Sequence, residues 1–397
     1  MLAFTAKRLI TPKETVEHPR VLVSDGKVVE IVDGRARPSP AGAQIVDLGD
    51  GMIAPGYIDL HIHGSAGFDV MDDKTDALPT VEGFLARHGV TSYYPTTVTA
   101  PMETTLHALE RLADAIESRS HDDKSKSDKS KSKERRACPL GIHLEGPFIS
   151  HLRKGVHPAA DLLPPKLETF ERFWQAARGH IKIMTIAPEL EGAEELIAEA
   201  VRRGVCVSLG HSDADFDSSV RGFATGARHA THTFNAMRPL DHRAPGILGA
   251  VLTDSRLSAD IIADGVHLDP AIVKLVASAK GPELTVLITD ATAATGMPDG
   301  RYHLGSMEVD VKDGRCVADG KLAGSILTMD KAVRNLAQFA GWSLSQAVAA
   351  ASRNPAQVAG FANKGILAAG ADADFVILNT VGEVLRTFVG GVECSAP

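Results

Sequence analysis

The hydrophobic pattern changes character once along the chain, near residue 52. Before that point, short apolar runs such as 21–23 and 28–32 flank Asp25 and Gly26, a pair typical of a tight hairpin turn. After it, apolar runs of strand length alternate with amphipathic segments of helical length. The alternation predicts parallel strands joined by helices, because each crossover must return the chain to the same end of the sheet.

Eight of the apolar runs are predicted strands, and eight strands close a (β/α)8 barrel of the TIM type, an α/β fold. The amphipathic segments 102–117, 193–203 and 271–280 are expected in the outer helical ring. After the eighth strand we predict a hairpin over 302–317, helices over 327–339 and 344–351, and strands at 374–378 and 384–389. The predicted barrel strands lie near 53–60, 91–98, 140–144, 181–186, 205–209, 229–232, 257–262 and 284–288.

Strand patterns at both ends of the chain predict a second, smaller domain. Residues 1–53 and 363–397 are expected to pair into a discontinuous β-sandwich, which leaves 54–362 for the barrel. Residues 118–136 contain mainly Ser, Lys, Asp and Arg, with no apolar side chain to bury. We therefore expect a disordered surface insertion there; the alternative, a basic interaction segment, is disfavoured by the mixed charges.

Composition narrows the class of protein. The 397 residues are 44% hydrophobic and carry a formal charge of -8, so the chain has no basic field for a nucleic-acid backbone. Four cysteines without a Cys-x-x-Cys pair fit a reduced compartment, and no apolar stretch is long enough to cross a bilayer. We expect a cytoplasmic protein that binds a small molecule and neither nucleic acid nor membrane.

Side chains able to bind a metal recur where predicted strands end, the edge at which barrel enzymes carry their active sites. A single histidine there is more commonly a hydrogen-bonded packing residue. Several imidazoles and carboxylates buried in one barrel mouth are costly without a cation, so together they predict a divalent metal. The candidates are His61 and His63 on the first strand, Glu145 on the third, His211 on the fifth, His232 on the sixth and Asp290 on the eighth.

Imidazole nitrogen and carboxylate oxygen suit zinc, and also iron, manganese or cobalt, with one position left open for water. Such a metal lowers the pKa of water from about 15.7 towards about 7 and polarises a carbonyl, so hydrolysis is the predicted chemistry. Asp290 is the candidate general base and then general acid. The alternative is that Asp290 only caps a helix or orients a ligand.

The motifs that carry these residues resemble those of the N-acetylglucosamine-6-phosphate deacetylases, in the amidohydrolase superfamily, over nearly the whole chain. The His-x-His pair marks the superfamily alone, whereas the Glu-Gly-Pro and His-x-x-Asn-Ala-Met blocks are more specific. The matching segments are PGYIDLHIHG at 55–64, HLEGPF at 143–148, LGHS at 209–212, THTFNAM at 231–237, ADGVH at 263–267, TDA at 289–291 and LAGS at 322–325.

By this resemblance, Glu145, His211 and His232 hold the principal metal and Asp290 is the catalytic acid and base. Since His61 and His63 are both present, a subunit could bind either one or two metal ions. His157 would contact the substrate and stabilise the oxyanion, with Val156 beside it; an exposed loop histidine is the alternative.

The resemblance also implies the groups that bind the rest of the substrate, some of them supplied across a homodimer interface. The sugar phosphate would be bound by main-chain groups of Asn235 and Ala236 together with Arg243 and His267, and the acetyl end would be lined by Leu322, Ala323 and Gly324.

The leading hypothesis is therefore removal of the acetyl group from N-acetylglucosamine 6-phosphate, giving glucosamine 6-phosphate and acetate, in amino-sugar catabolism and cell-wall recycling. One alternative is a deacetylase of the galactosamine epimer. Another is a cyclic-amide hydrolase, although such enzymes often bridge two metals with a carboxylated lysine where this chain has Glu145. A non-catalytic scaffold is disfavoured because every metal and acid/base position is filled.

Overall fold

The computed structural model describes residues 1–11, 15–37, 39–124 and 135–394, with the backbone alone for 120–124. Its centre is a ring of eight parallel strands, each paired with the next along the chain. Each of the eight predicted barrel strands overlaps a strand of this ring. The ring strands are Tyr57–Ile62, Val90–Thr97, Ile142–Glu145, Ile181–Ile186, Cys206–Leu209, His229–Ala230, Ser258–Ile261 and Thr285–Leu287.

Contacts between the first and last strands close the ring. Ile62 forms a parallel bridge with Ala291, and the Asp290 N–H donates to the carbonyl oxygen of His61 at 2.9 Å. Below them, the Thr289 hydroxyl donates to the buried Asp59 carboxylate at 2.5 Å. Closure of the barrel therefore places two of the predicted functional residues, His61 and Asp290, side by side.

Helices surround the barrel and pack their buried side chains against it. Ala193–Arg202 buries Ala193, Leu196, Ile197 and Ala200, the spacing of a single helical stripe. Among the described residues no helix is long and apolar enough to cross a membrane. The helices are Ala77–Arg87, Met102–Lys124, Leu167–Ala176, Ala193–Arg202, Phe216–Thr225, Gly246–Thr253, Pro270–Leu284, Met329–Ala340, Leu344–Ala351 and Arg353–Val358, with 3-10 turns at His151–Arg153 and Ala159–Asp161.

The expected disordered insertion, 118–136, is wrong at its start, because the helix Met102–Lys124 continues into it. The composition did not reveal an ion pair that supports the helix: Arg119 contacts Glu82, a buried carboxylate of the preceding helix, Ala77–Arg87. At the other end, Arg135 forms a parallel bridge with Cys394. The remainder of the prediction, 125–134, lies outside the described residues.

The predicted first strand is divided at Gly56. Tyr57–Ile62 belongs to the barrel, whereas Met52–Pro55 pairs with Arg8–Ile10 and Phe375–Leu378 in a separate sheet. The close approach of Thr91 requires a glycine at residue 56, because a Cβ there would lie 2.4 Å from the Thr91 Cγ2 atom. Gly56 is thus where the chain passes from one domain sheet into the other.

The terminal segments do form two packed sheets, as expected. Their core includes Phe4, whose ring packs edge-on against Phe375 at a centroid distance of 4.9 Å and against Phe388 at 5.3 Å. The hairpin predicted at Asp25 and Gly26 is present, with positive φ at both residues. One sheet contains Leu2–Thr5, Pro19–Ser24, Lys27–Asp33 and Gln44–Asp47, and the other Arg8–Ile10, Thr15–Glu17, Met52–Pro55, Phe375–Leu378, Val384–Val389 and Val392–Glu393.

A third sheet, which we call the cap sheet, follows the eighth barrel strand. The predicted hairpin is confirmed within it, and the sheet buries Leu304, Val309, Val311 and Cys316 on its inner side. Its strands are Gly300–Leu304, Met307–Lys312, Arg315–Ala318 and Lys321–Leu322; three shorter strands, Gly64–Ser65, Phe68–Asp69 and Cys138–Pro139, lie elsewhere.

Replacing Gly56 by alanine should destabilise the protein by about 1–3 kcal/mol, because the added methyl group overpacks against Thr91. Gly83→Ala is the matched control: Gly83 lies inside the helix Ala77–Arg87 with nothing within 4 Å of an added Cβ. That change should stabilise by about 0.5–1 kcal/mol through helix propensity. Urea unfolding measures both, and a Gly56→Ala protein as stable as the unaltered one would contradict the assigned contact.

Candidate metal centre and substrate cavity

The carboxylate of Glu145, at the end of the third barrel strand, lies between two pairs of histidines. Its Oε1 atom is 3.1 Å from His211 Nε2 and 3.0 Å from His232 Nε2. Its Oε2 atom is 3.4 Å from His61 Nε2 and 3.3 Å from His63 Nε2. Each pair forms, with Glu145, a three-residue group of the kind that binds a metal ion, and all five side chains are buried.

Main-chain carbonyl groups determine which nitrogen faces Glu145. The Nδ1 atom of His63 is 3.0 Å from the Thr96 carbonyl oxygen, and that of His211 is 2.9 Å from the Arg153 carbonyl oxygen. Since a carbonyl only accepts, both Nδ1 atoms carry the proton and donate it. The Nε2 atoms of His63 and His211 therefore present lone pairs to Glu145 when neutral.

Lone-pair nitrogens that face carboxylate oxygens are acceptors facing acceptors, so positive charge must lie between them. A proton on an imidazole or a bound metal ion can supply it. Burial alone would raise the pKa of Glu145, but the imidazoles around it outweigh burial and hold the pKa well below its usual range. An ionised carboxylate with lone-pair imidazoles is the donor set that binds divalent metals, and these residues fit such an ion.

Asp290, after the eighth strand, completes the centre. Its Oδ1 atom lies 3.2 Å from His63 Nε2 and 3.5 Å from His61 Nε2. Burial raises the pKa of Asp290, but the charges of His61 and His63 outweigh it and lower the pKa to about 2. The carboxylate is therefore ionised at neutral pH and able to accept a proton.

His157 lies on the loop after the third strand, where its Nε2 atom is 3.6 Å from Glu145 Oε2. On the other side of the ring, Nδ1 is 2.7 Å from the Thr99 hydroxyl and accepts from the Thr99 N–H at 3.3 Å. The side chain is buried, so the expectation of an exposed loop histidine, held as the alternative, does not apply.

A cavity of about 240 Å³ opens above these residues. It brings together most of the predicted substrate residues, and it adds Val98, Gly155, Leu304 and Lys321, which were not among the predicted site residues. Leu304 comes from a cap-sheet strand that carries none of the predicted motifs, whereas Lys321 directly precedes the predicted residue Leu322. The lining consists of His63, Val98, Glu145, Gly155, Val156, His157, His211, His232, Asn235, Ala236, His267, Asp290, Leu304, Lys321, Leu322 and Gly324.

Two predicted substrate residues lie outside this lining. Arg243 is exposed on the loop before the helix Gly246–Thr253, and its N–H donates to Asp241 Oδ1 at 2.8 Å. Ala323 is fully buried in the core of the cap sheet, between the lining residues Leu322 and Gly324. Within one chain, therefore, neither the Arg243 nor the Ala323 side chain lines the cavity.

The predicted phosphate-binding residues Asn235, Ala236 and His267 do lie together in the cavity. The chain turns sharply there, with positive φ at His232, Phe234 and Ala236. His267 Nδ1 is 2.7 Å from an oxygen of Asp264, which fixes the ring. Within this turn the Asn235 N–H donates to the His232 carbonyl oxygen at 2.8 Å. Turns with alternating backbone conformations are a common setting for anion-binding concavities.

Comparison with known proteins agrees with this geometry. Residues 52–394 match the amidohydrolase family, whose members depend on a divalent metal. The fold and the centre thus define a barrel hydrolase of that family, to which the chain belongs.

More narrowly, its relatives are N-acetylhexosamine-6-phosphate deacetylases. The chain is 36% identical to N-acetylglucosamine-6-phosphate deacetylase of Bacillus subtilis (strain 168) over 96% of this chain and 94% of that protein. It is 35% identical to N-acetylgalactosamine-6-phosphate deacetylase of Escherichia coli O157:H7 over 97% of each. A mutant N-acetyl-D-glucosamine-6-phosphate deacetylase of Mycobacterium smegmatis, solved with N-acetyl-D-glucosamine-6-phosphate, superposes with a TM-score of 0.90 at 34% identity, covering 100% of this chain and 99% of that one.

Glu145→Gln should weaken zinc binding more than either His63→Asn or His211→Asn. The reason is that each histidine belongs to one group, whereas Glu145 belongs to both. Competition with a chromogenic chelator measures the affinity, and Glu195→Gln, which alters an exposed glutamate on the helix Ala193–Arg202, is the control. Unaltered zinc affinity in Glu145→Gln would show that the shared carboxylate is not a ligand.

Proposed function

We propose that this protein hydrolyses the acetamide of N-acetylglucosamine 6-phosphate to glucosamine 6-phosphate and acetate. The observation that carries the proposal is the position of Asp290, an ionised carboxylate 3.2 Å from His63 beside two histidine groups that share Glu145. The names of the relatives supply the substrate class. Such an enzyme acts in amino-sugar catabolism and cell-wall recycling, and we assign it to the cytoplasm.

The residues that would hold the metal are Glu145, His211 and His232, with His61 and His63 available for a second ion. A divalent cation bound there lowers the pKa of water and polarises a carbonyl. Zinc is our first choice, and Fe2+, Mn2+ or Co2+ also suit nitrogen and oxygen ligands.

Asp290 moves the proton in this mechanism. Its carboxylate accepts a proton from the attacking water and then gives that proton to the departing nitrogen of glucosamine 6-phosphate. The water oxygen remains on the acyl carbon, so the products are an amine and acetate. His157, with Nε2 towards the cavity side of Glu145, donates a hydrogen bond to the amide oxygen as negative charge develops on it.

The sugar phosphate is bound at the other end of the cavity by Asn235, Ala236 and His267. Arg243 completes this site from a second copy of the chain, which explains why it is exposed in one chain. The functional unit is accordingly a homodimer. Val156, Leu322 and Gly324 line the acetyl end, with Ala323 supporting them from the core of the cap sheet.

The second candidate substrate is the galactosamine epimer, favoured by the comparable identity to the Escherichia coli relative. Acetate release from the two epimeric N-acetylhexosamine 6-phosphates, by metal-loaded protein, separates the candidates. A higher kcat/KM for the glucosamine compound supports the proposal, and the reverse order would replace it with the second candidate.

Asp290→Asn should lower kcat for acetate release by about 10²–10⁴-fold, because the amide cannot accept the water proton. Zinc content, measured on the same sample, should stay close to that of the unaltered protein. If metal-loaded Asp290→Asn protein released acetate at the unaltered rate, Asp290 would not be the acid and base.

Arg243→Ala should raise KM for the phosphorylated sugar far more than for free N-acetylglucosamine, since the guanidinium binds phosphate. Arg8→Ala provides a matched control, because Arg8 is also exposed and forms an ion pair with Glu17 in the terminal domain. Steady-state kinetics on both sugars measures the effect. Equal changes in KM for the two sugars would remove Arg243 from phosphate binding.

A further inference from the structure

Thr99 lies just beyond the second barrel strand. Its hydroxyl contacts His157 and none of the five residues that would bind a metal. The residue is 3% exposed, and both its hydroxyl and its main-chain N–H contact one atom, His157 Nδ1. The hydroxyl oxygen is 2.7 Å from that nitrogen and the main-chain nitrogen is 3.3 Å from it.

These two contacts determine where the proton of His157 resides. A main-chain N–H can only donate, so Nδ1 must accept and cannot itself carry a proton. The neutral ring then holds its proton on Nε2, the atom 3.6 Å from Glu145 Oε2. His63 and His211 have the opposite arrangement, because their Nδ1 atoms face carbonyl oxygens. The cavity thus contains two kinds of neutral histidine: His63 and His211 carry a lone pair at Nε2, whereas His157 carries a proton there.

We infer that Thr99 is a positioning residue that makes His157 a hydrogen-bond donor at Nε2 and so keeps it out of the metal-binding set. The inference rests on the proposed function, in which that N–H meets the amide oxygen of the substrate. Thr99 itself touches neither substrate nor metal. It acts by holding one tautomer and one ring orientation before the substrate arrives.

The surrounding backbone is built to admit this contact. A Cβ atom at Gly146 would lie 2.1 Å from the Thr99 hydroxyl oxygen, so a side chain there would displace the hydroxyl. Gly146 also has φ of +70°, a conformation that favours glycine. On the far side, the Lys154 ammonium donates to the His157 carbonyl oxygen at 2.9 Å and fixes the main chain that carries the ring.

The first test compares kcat and KM among three variants. Thr99→Val keeps the shape and the main-chain N–H but removes the hydroxyl, and should lower kcat about tenfold with KM changed less than about twofold. Thr99→Ser keeps the hydroxyl and should retain at least half of kcat. Thr97→Val is the matched control: Thr97 is equally buried, but its hydroxyl has no hydrogen-bond partner among the described residues, so kcat should not change.

The second test reads the tautomer directly, by nitrogen NMR of zinc-loaded protein labelled in its imidazoles, with His157 assigned from its absence in His157→Gln. We expect an Nε2–H ring in the unaltered protein and a weaker preference for that tautomer in Thr99→Val, which loses the 2.7 Å hydroxyl contact and keeps only the 3.3 Å main-chain contact. An Nδ1–H ring or an imidazolium in the unaltered protein would overturn the inference, as would equal kcat in Thr99→Val or an equal loss in Thr99→Ser. Failure of the proposed function looks different: the unaltered protein would release no acetate, while the tautomer could still be read.

Discussion

The structure depends on one buried carboxylate. Glu145 is almost fully removed from water, yet it is ionised, because four imidazoles and a fifth from His157 surround its two oxygens. A buried charge of this kind is tolerated only when it is neutralised by close partners. The first four come from the first, fifth and sixth strand ends and His157 from the loop after the third, so the charge is compensated only after the barrel has closed. The ionised Glu145 is therefore stable only in the closed barrel.

Around that carboxylate, hydrogen bonds from neighbouring groups determine whether each histidine presents a lone pair or a proton at Nε2. Carbonyl oxygens of Thr96 and Arg153 turn lone pairs of His63 and His211 towards the centre, whereas Thr99 turns a proton of His157 towards it. Orientation of this kind is how groups beyond the ligands tune a metal site. The proposed metal ligands and the proposed hydrogen-bond donor thus lie within a few ångströms of one another, as the hydrolysis of an amide requires.

Much of this could be predicted from the sequence, for an identifiable reason. Strand period, apolar runs and His-x-His alternation are local, and barrel topology converts position at a strand end into position in the mouth. Three features could not be predicted from local sequence patterns. The role of Thr99 depends on the loop that carries His157, and Leu304 reaches the cavity through the cap sheet. The helix that ends at Lys124 is supported by the ion pair between Arg119 and Glu82. Each is a long-range contact without a periodic signal.

The central claim is that Glu145 joins the two histidine groups into one metal centre. Anomalous scattering at the zinc absorption edge, from crystals of the full chain prepared with zinc, tests it most directly. The account predicts density within bonding distance of Glu145 Oε1, His211 and His232, and, if a second ion binds, further density bounded by Glu145 Oε2, His61 and His63. Zinc bound only at other residues, with none in contact with Glu145, would contradict it.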